Sequence, residues 1–127
     1  IVTGYPWYGI QTTEHQAFLK AYKERFNDHP RLGSVVGYTA IPSLAAGLRK
    51  AGGSDTEKLI AAFKGLEVTS PFGPIRYRPE DHRSTMGAFV GRTRRQNGVG
   101  AMSDFRYLDG ARFQPPAEEV RKLRAAD

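Results

Sequence analysis

The chain has 127 residues, a formal net charge of +6 and a composition of 39% hydrophobic, 11% aromatic and 25% charged residues, the balance of one ordered domain with a modest core. No uninterrupted apolar run approaches the ~18 residues of a membrane-crossing helix. The absence of cysteine removes disulfides, thiolate zinc sites and a cysteine nucleophile from this chain.

The chain opens IVTGYPWYGI, with no initiator Met and no signal-peptide pattern, so it reads as a processed product or a fragment. Its first five residues (1–5) read as a buried strand ended by a Gly-Tyr-Pro turn. Thr12 or Thr13 caps a helix over 12–27, whose apolar stripe is Phe18, Tyr22 and Phe26 with Leu19 beside them. Asn27-Asp28-His29-Pro30 stops it, because the residue before proline is driven out of the α region.

Ser34 begins a second helix, 34–51, with Val35, Tyr38, Ile41, Ala45 and Leu48 at helical spacing and Leu44 alongside. Pro42 removes a backbone donor inside it and predicts a kink. Ser54-Asp55-Thr56-Glu57 matches a capping box and starts a third helix, 54–64, with Leu59, Ile60 and Phe63 facing inward.

Strand signals follow. Pro71 to Pro74 form a turn cluster, and a strand is expected over 75–78. Strands over 87–94 and 99–107 are joined at Asn97-Gly98, a strong hairpin signal. Asp109-Gly110 suggests a further turn. A terminal helix is expected over 117–125, with Glu118 and Glu119 early and Arg121, Lys122 and Arg124 late, in the order that suits a helix dipole.

Catalytic patterns are sparse. Neither G-x-S-x-G nor a P-loop occurs, and Gly98-Val99-Gly100 lacks the third glycine of a dinucleotide site. Glu80-Asp81-His82 reads as a hydrogen-bonded loop, since adjacent residues seldom converge on one ion. No metal or cofactor is expected, and neither is enzymatic activity. His15, on a mostly polar helix face, and His29, at a helix end, read as structural or exposed. Lys and Arg are scattered, concentrated only at Arg92, Arg94, Arg95 and at Arg121, Lys122, Arg124, without interleaved aromatics. That charge reads as solvated surface, and no nucleic-acid partner is expected.

Three features suit recognition. Tyr5, Trp7 and Tyr8 supply rings for an aromatic wall, although core packing or burial against a missing partner accounts for them as well. The turn into Ser34, with Tyr38 one helical turn on, offers backbone N–H groups and hydroxyls to a carboxylate, and ordinary capping explains it equally. The polar loop containing His82 and Arg83 precedes a strand and is by default a surface loop.

Taken in order, several stretches resemble one family. They are Tyr5-Pro6-Trp7, the run from His15 to Tyr22 with Phe26, Gly37-Tyr38-Thr39-Ala40, LAAGLRKA from Leu44, and Gly53 to Leu59. Ala62 to Gly65, Pro71 to Ile75, Tyr77-Arg78, Asp81-His82 and Met86 to Gly91 complete the series. Over about residues 1–113 the chain resembles the C-terminal third of a type I periplasmic solute-binding protein, the branched-chain amino acid (Leu/Ile/Val)-binding family of ABC importers.

The resemblance implies an α/β fold, the C-terminal fragment of a two-lobed molecule that closes on a small ligand. It implies residues 1–11 as a hinge crossing, 12–85 as part of one lobe, and 86–127 as a return crossing and C-terminal segment. The implied partners are a small-molecule ligand, the remaining N-terminal portion of the same protein and a membrane permease, in the periplasm. The ligand is an amino acid or an aromatic or other carboxylate, with Tyr5, Trp7, Tyr8, Ser34, Tyr38, His82 and Arg83 as its candidate contacts. A ligand-sensing domain of the same fold, in a signalling or amide- or urea-responsive system, is the alternative.

Overall fold

A computed structural model describes residues 1–123. Its elements are β1 (Val2–Gly4), α1 (Thr13–Phe26), α2 (Leu32–Ala51), α3 (Thr56–Phe63), β2 (Glu67–Ser70), β3 (Gly73–Arg76), β4 (Ala88–Gln96), β5 (Val99–Leu108), a short 3-10 turn (Gly110–Phe113) and α4 (Ala117–Leu123). The α/β class expected from the sequence is therefore the observed one. The end of the expected 117–125 helix, including Arg124, lies outside the described residues.

Two antiparallel sheets organise the chain. One has the order β1-β4-β5, and the other pairs β2 with β3. At the hairpin between β4 and β5, Asn97 and Gly98 both adopt positive φ (51° and 81°), and Gln96 pairs with Val99. This is the mirror-image two-residue turn that an Asn-Gly step favours. The core gathers Ile10, Phe18, Val35, Phe72, Phe89 and Met102. Phe72, at the tip of the β2–β3 turn, is its hub, with Tyr5, Phe89 and Tyr107 rings at 5.8, 5.1 and 6.0 Å.

Several expectations are corrected. Strand β1 is not buried: Val2 and Thr3 are exposed because β1 is an edge strand paired only with β4. Helix α2 starts at Leu32, two residues before Ser34, with Arg31 at its N-cap. The Ser54–Glu57 capping box does not form; Asp55 caps α3 instead, its carboxylate accepting from Lys58 N–H at 3.0 Å. The expected 75–78 strand lies two residues earlier, as β3, and β2 was not anticipated. With Val68 its one strongly apolar residue, β2 exists because β3 folds back on it.

Helix α2 departs most from its sequence pattern. Its buried positions are Val35, Thr39, Ser43 and Gly47, whereas Tyr38, Ile41 and Leu44 are exposed. The hydroxyls of Thr39 and Ser43 donate to the carbonyls four residues back, at 2.8 Å each, so their burial leaves no unpaired donor. Helix α1 behaves more nearly as expected: Thr12 caps it, and Phe18 and Leu19 are buried. Phe26 is exposed at its end, and His15, expected on the polar side, is fully buried.

Candidate functional site

The residues after β1 form two tight turns, with Trp7 N–H bonded to Tyr5 O and Gly9 N–H to Pro6 O, both at 2.9 Å. Pro6 is fully buried beneath them. This pinned backbone sends the three rings in different directions.

Tyr5 turns inward. Its hydroxyl lies 2.7 Å from Nε2 of the fully buried His15, and the two rings meet edge to face at 5.6 Å. Burial raises the Tyr5 phenol well above its ordinary range. Burial also lowers the His15 pKa, and the nearby Ile10 carbonyl only partly opposes this. Both groups are therefore neutral near pH 7, joined by a hydrogen bond and not by an ion pair.

Tyr8 reaches to β5, where its hydroxyl bonds both backbone polar groups of Met102. Trp7, half-buried, faces the turn between α1 and α2. His29 stacks on it at 4.7 Å with an interplanar angle of 25°, and the Lys23 ammonium lies 4.5 Å from the ring centroid, a cation–π contact worth about 0.5–1 kcal/mol at such a site.

The three aromatic residues line an open concavity of about 420 Å³, whose other walls are the His29–Leu32 turn and the Thr93, Gly100 to Met102 segment of the β4–β5 hairpin. Arg31 stands at this concavity's edge. Its guanidinium donates to the His29 carbonyl and pairs with the Asp28 carboxylate at 3.3 Å. The His29 N–H, 2.7 Å from Asp28, is the main influence holding that carboxyl below its usual range, and Arg31 adds to it. Arg31 also begins α2, where the first N–H groups of a helix have no intrahelical acceptor. The site thus combines aromatic faces, a guanidinium and the positive end of a 20-residue helix, a set suited to an anionic ligand with an apolar body.

The other candidates lie apart from this concavity. Ser34 is engaged in the first turn of α2: its hydroxyl accepts from Arg31 N–H at 3.2 Å and its own N–H bonds Arg31 O at 3.0 Å. Tyr38 packs its ring against Phe18 at 4.8 Å. His82 and Arg83 belong to a turn closed by Arg78 N–H to Arg83 O and His82 N–H to Arg78 O, each 2.9 Å. The Arg78 guanidinium also pairs with Glu80 and Asp81, at 3.5 and 3.6 Å. His82 faces α3, beside Leu59, Phe63 and Tyr77. Sequence reasoning missed Arg31 and His29 as part of the aromatic concavity. The available signal was their place in a helix-breaking turn between two helices, where the chain must reverse toward β1.

The concavity is an open aromatic pocket with the N-terminus of α2 on its rim. The sequence profile of the periplasmic binding protein family matches residues 1–98, and the chain belongs to that family. Similar solved structures include an ABC-type branched-chain amino acid transporter protein from Rhodopseudomonas palustris, 25% identical with a TM-score of 0.75 over 89% of this chain and 31% of that one. A solute-binding protein of an ABC transporter from the same species, in complex with 3,4-dihydroxybenzoic acid, is 31% identical with a TM-score of 0.68, over 79% of this chain and 28% of its own. A leucine-, isoleucine-, valine-, threonine- and alanine-binding protein from Brucella ovis, in a closed conformation, shares the fold at 17% identity and a TM-score of 0.69, over 86% and 30%. This chain thus spans 28–31% of the length of these structures. No curated protein sequence matches it.

Proposed function

We propose that the chain is part of the substrate-binding component of an ABC importer, which captures a small carboxylate-bearing metabolite between two lobes and delivers it to a membrane permease from the periplasm. The observation that carries this reading is that Trp7 and Arg31 line the same open concavity. An aromatic face binds the body of such a ligand, and a guanidinium meets its carboxylate as a bidentate pair. The exposed Arg31–Asp28 pair is a weak competitor, since ion pairs in water contribute at most about 1 kcal/mol.

In this reading β1 and β4, antiparallel neighbours through Val2–Gly91 and Gly4–Phe89, are two of the strands that cross between lobes. Residues 1–11 are then one hinge crossing, 12–85 part of one lobe and 86–127 the return crossing with the C-terminal segment. The ligand touches Trp7 and Arg31 with the exposed parts of Tyr5 and Tyr8, whose hydroxyls are already engaged. Ser34, Tyr38, His82 and Arg83 support the fold. Closure of the second lobe excludes water, and the ligand shifts the open–closed equilibrium only through its greater affinity for the closed form.

Thermal unfolding of the full-length protein in the presence of hydroxybenzoates and of branched-chain amino acids tests the proposal. One class is expected to stabilise the protein, by about 2.7 kcal/mol at a hundred times its dissociation constant. No shift with any carboxylate in either set contradicts the reading.

A further inference from the structure

Asp28 bridges two residues in the wall of the concavity. Its Oδ2 pairs with the Arg31 guanidinium at 3.3 Å, and its Oδ1 lies 3.2 Å from Nδ1 of His29. A carboxylate oxygen offers only lone pairs, so the neutral imidazole keeps its hydrogen on Nδ1 and leaves Nε2 bare. The same ring stacks on Trp7 at 4.7 Å. With its side chain 41% exposed, His29 exchanges protons freely with water. Histidine is the residue type that changes charge near neutral pH.

A proton added at Nε2 acts on the concavity in three ways, all of one sign. It sets a positive charge in the wall beside Arg31, which attracts the carboxylate of a ligand. It turns the stack on Trp7 into a cation–π contact, which holds the indole more firmly. It also makes His29 a full ionic partner of Asp28, so the Asp28 carboxylate grips Arg31 less and the guanidinium is freer to meet the ligand.

We propose that His29 is a second anchor of this site, which takes up a proton as a carboxylate ligand enters, so that ligand and proton bind together. The proposal deepens the reading of the concavity as a carboxylate site and rests on it. By linkage, ligand and proton raise each other's affinity by the same factor. The other groups around His29 do not supply this coupling. Lys23 of α1, 4.5 Å over Trp7, and Arg31 at the start of α2 are of residue types that do not change charge near neutral pH. Asp28 is held below the usual carboxylate range and stays ionised. On the hairpin wall, Thr93 and Gly100 to Met102 carry no titratable side chain. The Tyr5 and Tyr8 hydroxyls are engaged, and His15 is fully buried against the first of them.

The test is calorimetric titration of the full-length protein with 4-hydroxybenzoate and with leucine, at about pH 8 and about pH 6. Each titration is run in two buffers of different ionisation enthalpy, which reports protons taken up on binding. Affinity is expected to rise by more than about threefold toward the lower pH, with net proton uptake. His29→Gln, folded by circular dichroism, should remove both effects. A smaller rise, or binding without proton uptake, overturns the proposal and leaves the concavity a carboxylate site. Persistence of both effects in His29→Gln overturns it in favour of another titrating group. Failure of both probes to bind at either pH overturns the reading on which it rests, and the proposal with it.

Discussion

The Tyr8 hydroxyl donates to the Met102 carbonyl at 2.8 Å and accepts from the Met102 N–H at 2.6 Å. The hairpin register explains why those groups are available. Pairing alternates from the closing pair Gln96–Val99, which puts Thr93–Met102 at a non-hydrogen-bonded position. Both polar groups of Met102 then point away from β4, to the open side of β5, and Tyr8 meets them where a further strand would. The turn after β1 is thereby fastened to β5 across a separation of 94 residues. Tyr8→Phe is expected to cost about 1–2 kcal/mol in urea unfolding, the worth of two lost hydrogen bonds partly replaced by water. It should also accelerate amide exchange at Met102 selectively, and unchanged exchange there would contradict the role given to Tyr8.

The Tyr5–His15 pair predicts a pH dependence of stability. Burial lowers the His15 pKa in the folded chain, so the unfolded chain, with its ordinary value near 6.5, binds this proton more readily. The neutral imidazole's contribution is complete above about pH 6.5 and is lost as the pH falls from there through the lowered folded value. Urea midpoints measured between pH 8 and 5 should fall toward acid, and His15→Gln should flatten that fall. Tyr5→Phe should cost about 1–3 kcal/mol by leaving Nε2 unpaired in the interior.

Close approach of α2 to α3 depends on Gly47. A methyl group there would collide with Phe63, whose ring is held edge-on to Tyr77 at 5.1 Å. Gly47→Ala is expected to destabilise by about 1–3 kcal/mol, and Phe63→Leu in the same chain should recover part of that loss. A double-mutant cycle with no coupling would mean that the two residues do not constrain each other.

Much of the fold was legible because local signals agreed with tertiary pairing. Thr12 as a cap and Asn97-Gly98 as a hairpin turn each act within a few residues and stand as expected, while the stop expected over Asn27 to Pro30 is made by Asn27, which closes α1 in the left-handed region with its N–H on the Lys23 carbonyl. What was misread depended on distant partners. Glu67 to Ser70 carry no strand periodicity and pair only because Pro71-Phe72 turns the chain back. The largest apolar residues of α2 marked its face correctly as apolar, yet the neighbours in this chain cover the face of Thr39 and Ser43 instead. Of the candidate site, the three rings were legible as a cluster. That Tyr5 and Tyr8 spend their hydroxyls on His15 and Met102 was not, because those partners lie 10 and 94 residues away.

Calorimetric titration of the full-length protein and its Trp7→Ala variant, with whichever carboxylate stabilises it thermally, is the most direct test of the binding role given to the concavity. Loss of the ring that shares the site with Arg31 is expected to weaken binding by roughly tenfold or more, about 1.4 kcal/mol, with the fold intact by circular dichroism. An affinity for Trp7→Ala within twofold of the parent protein would contradict it and leave Trp7 a packing residue of the turn.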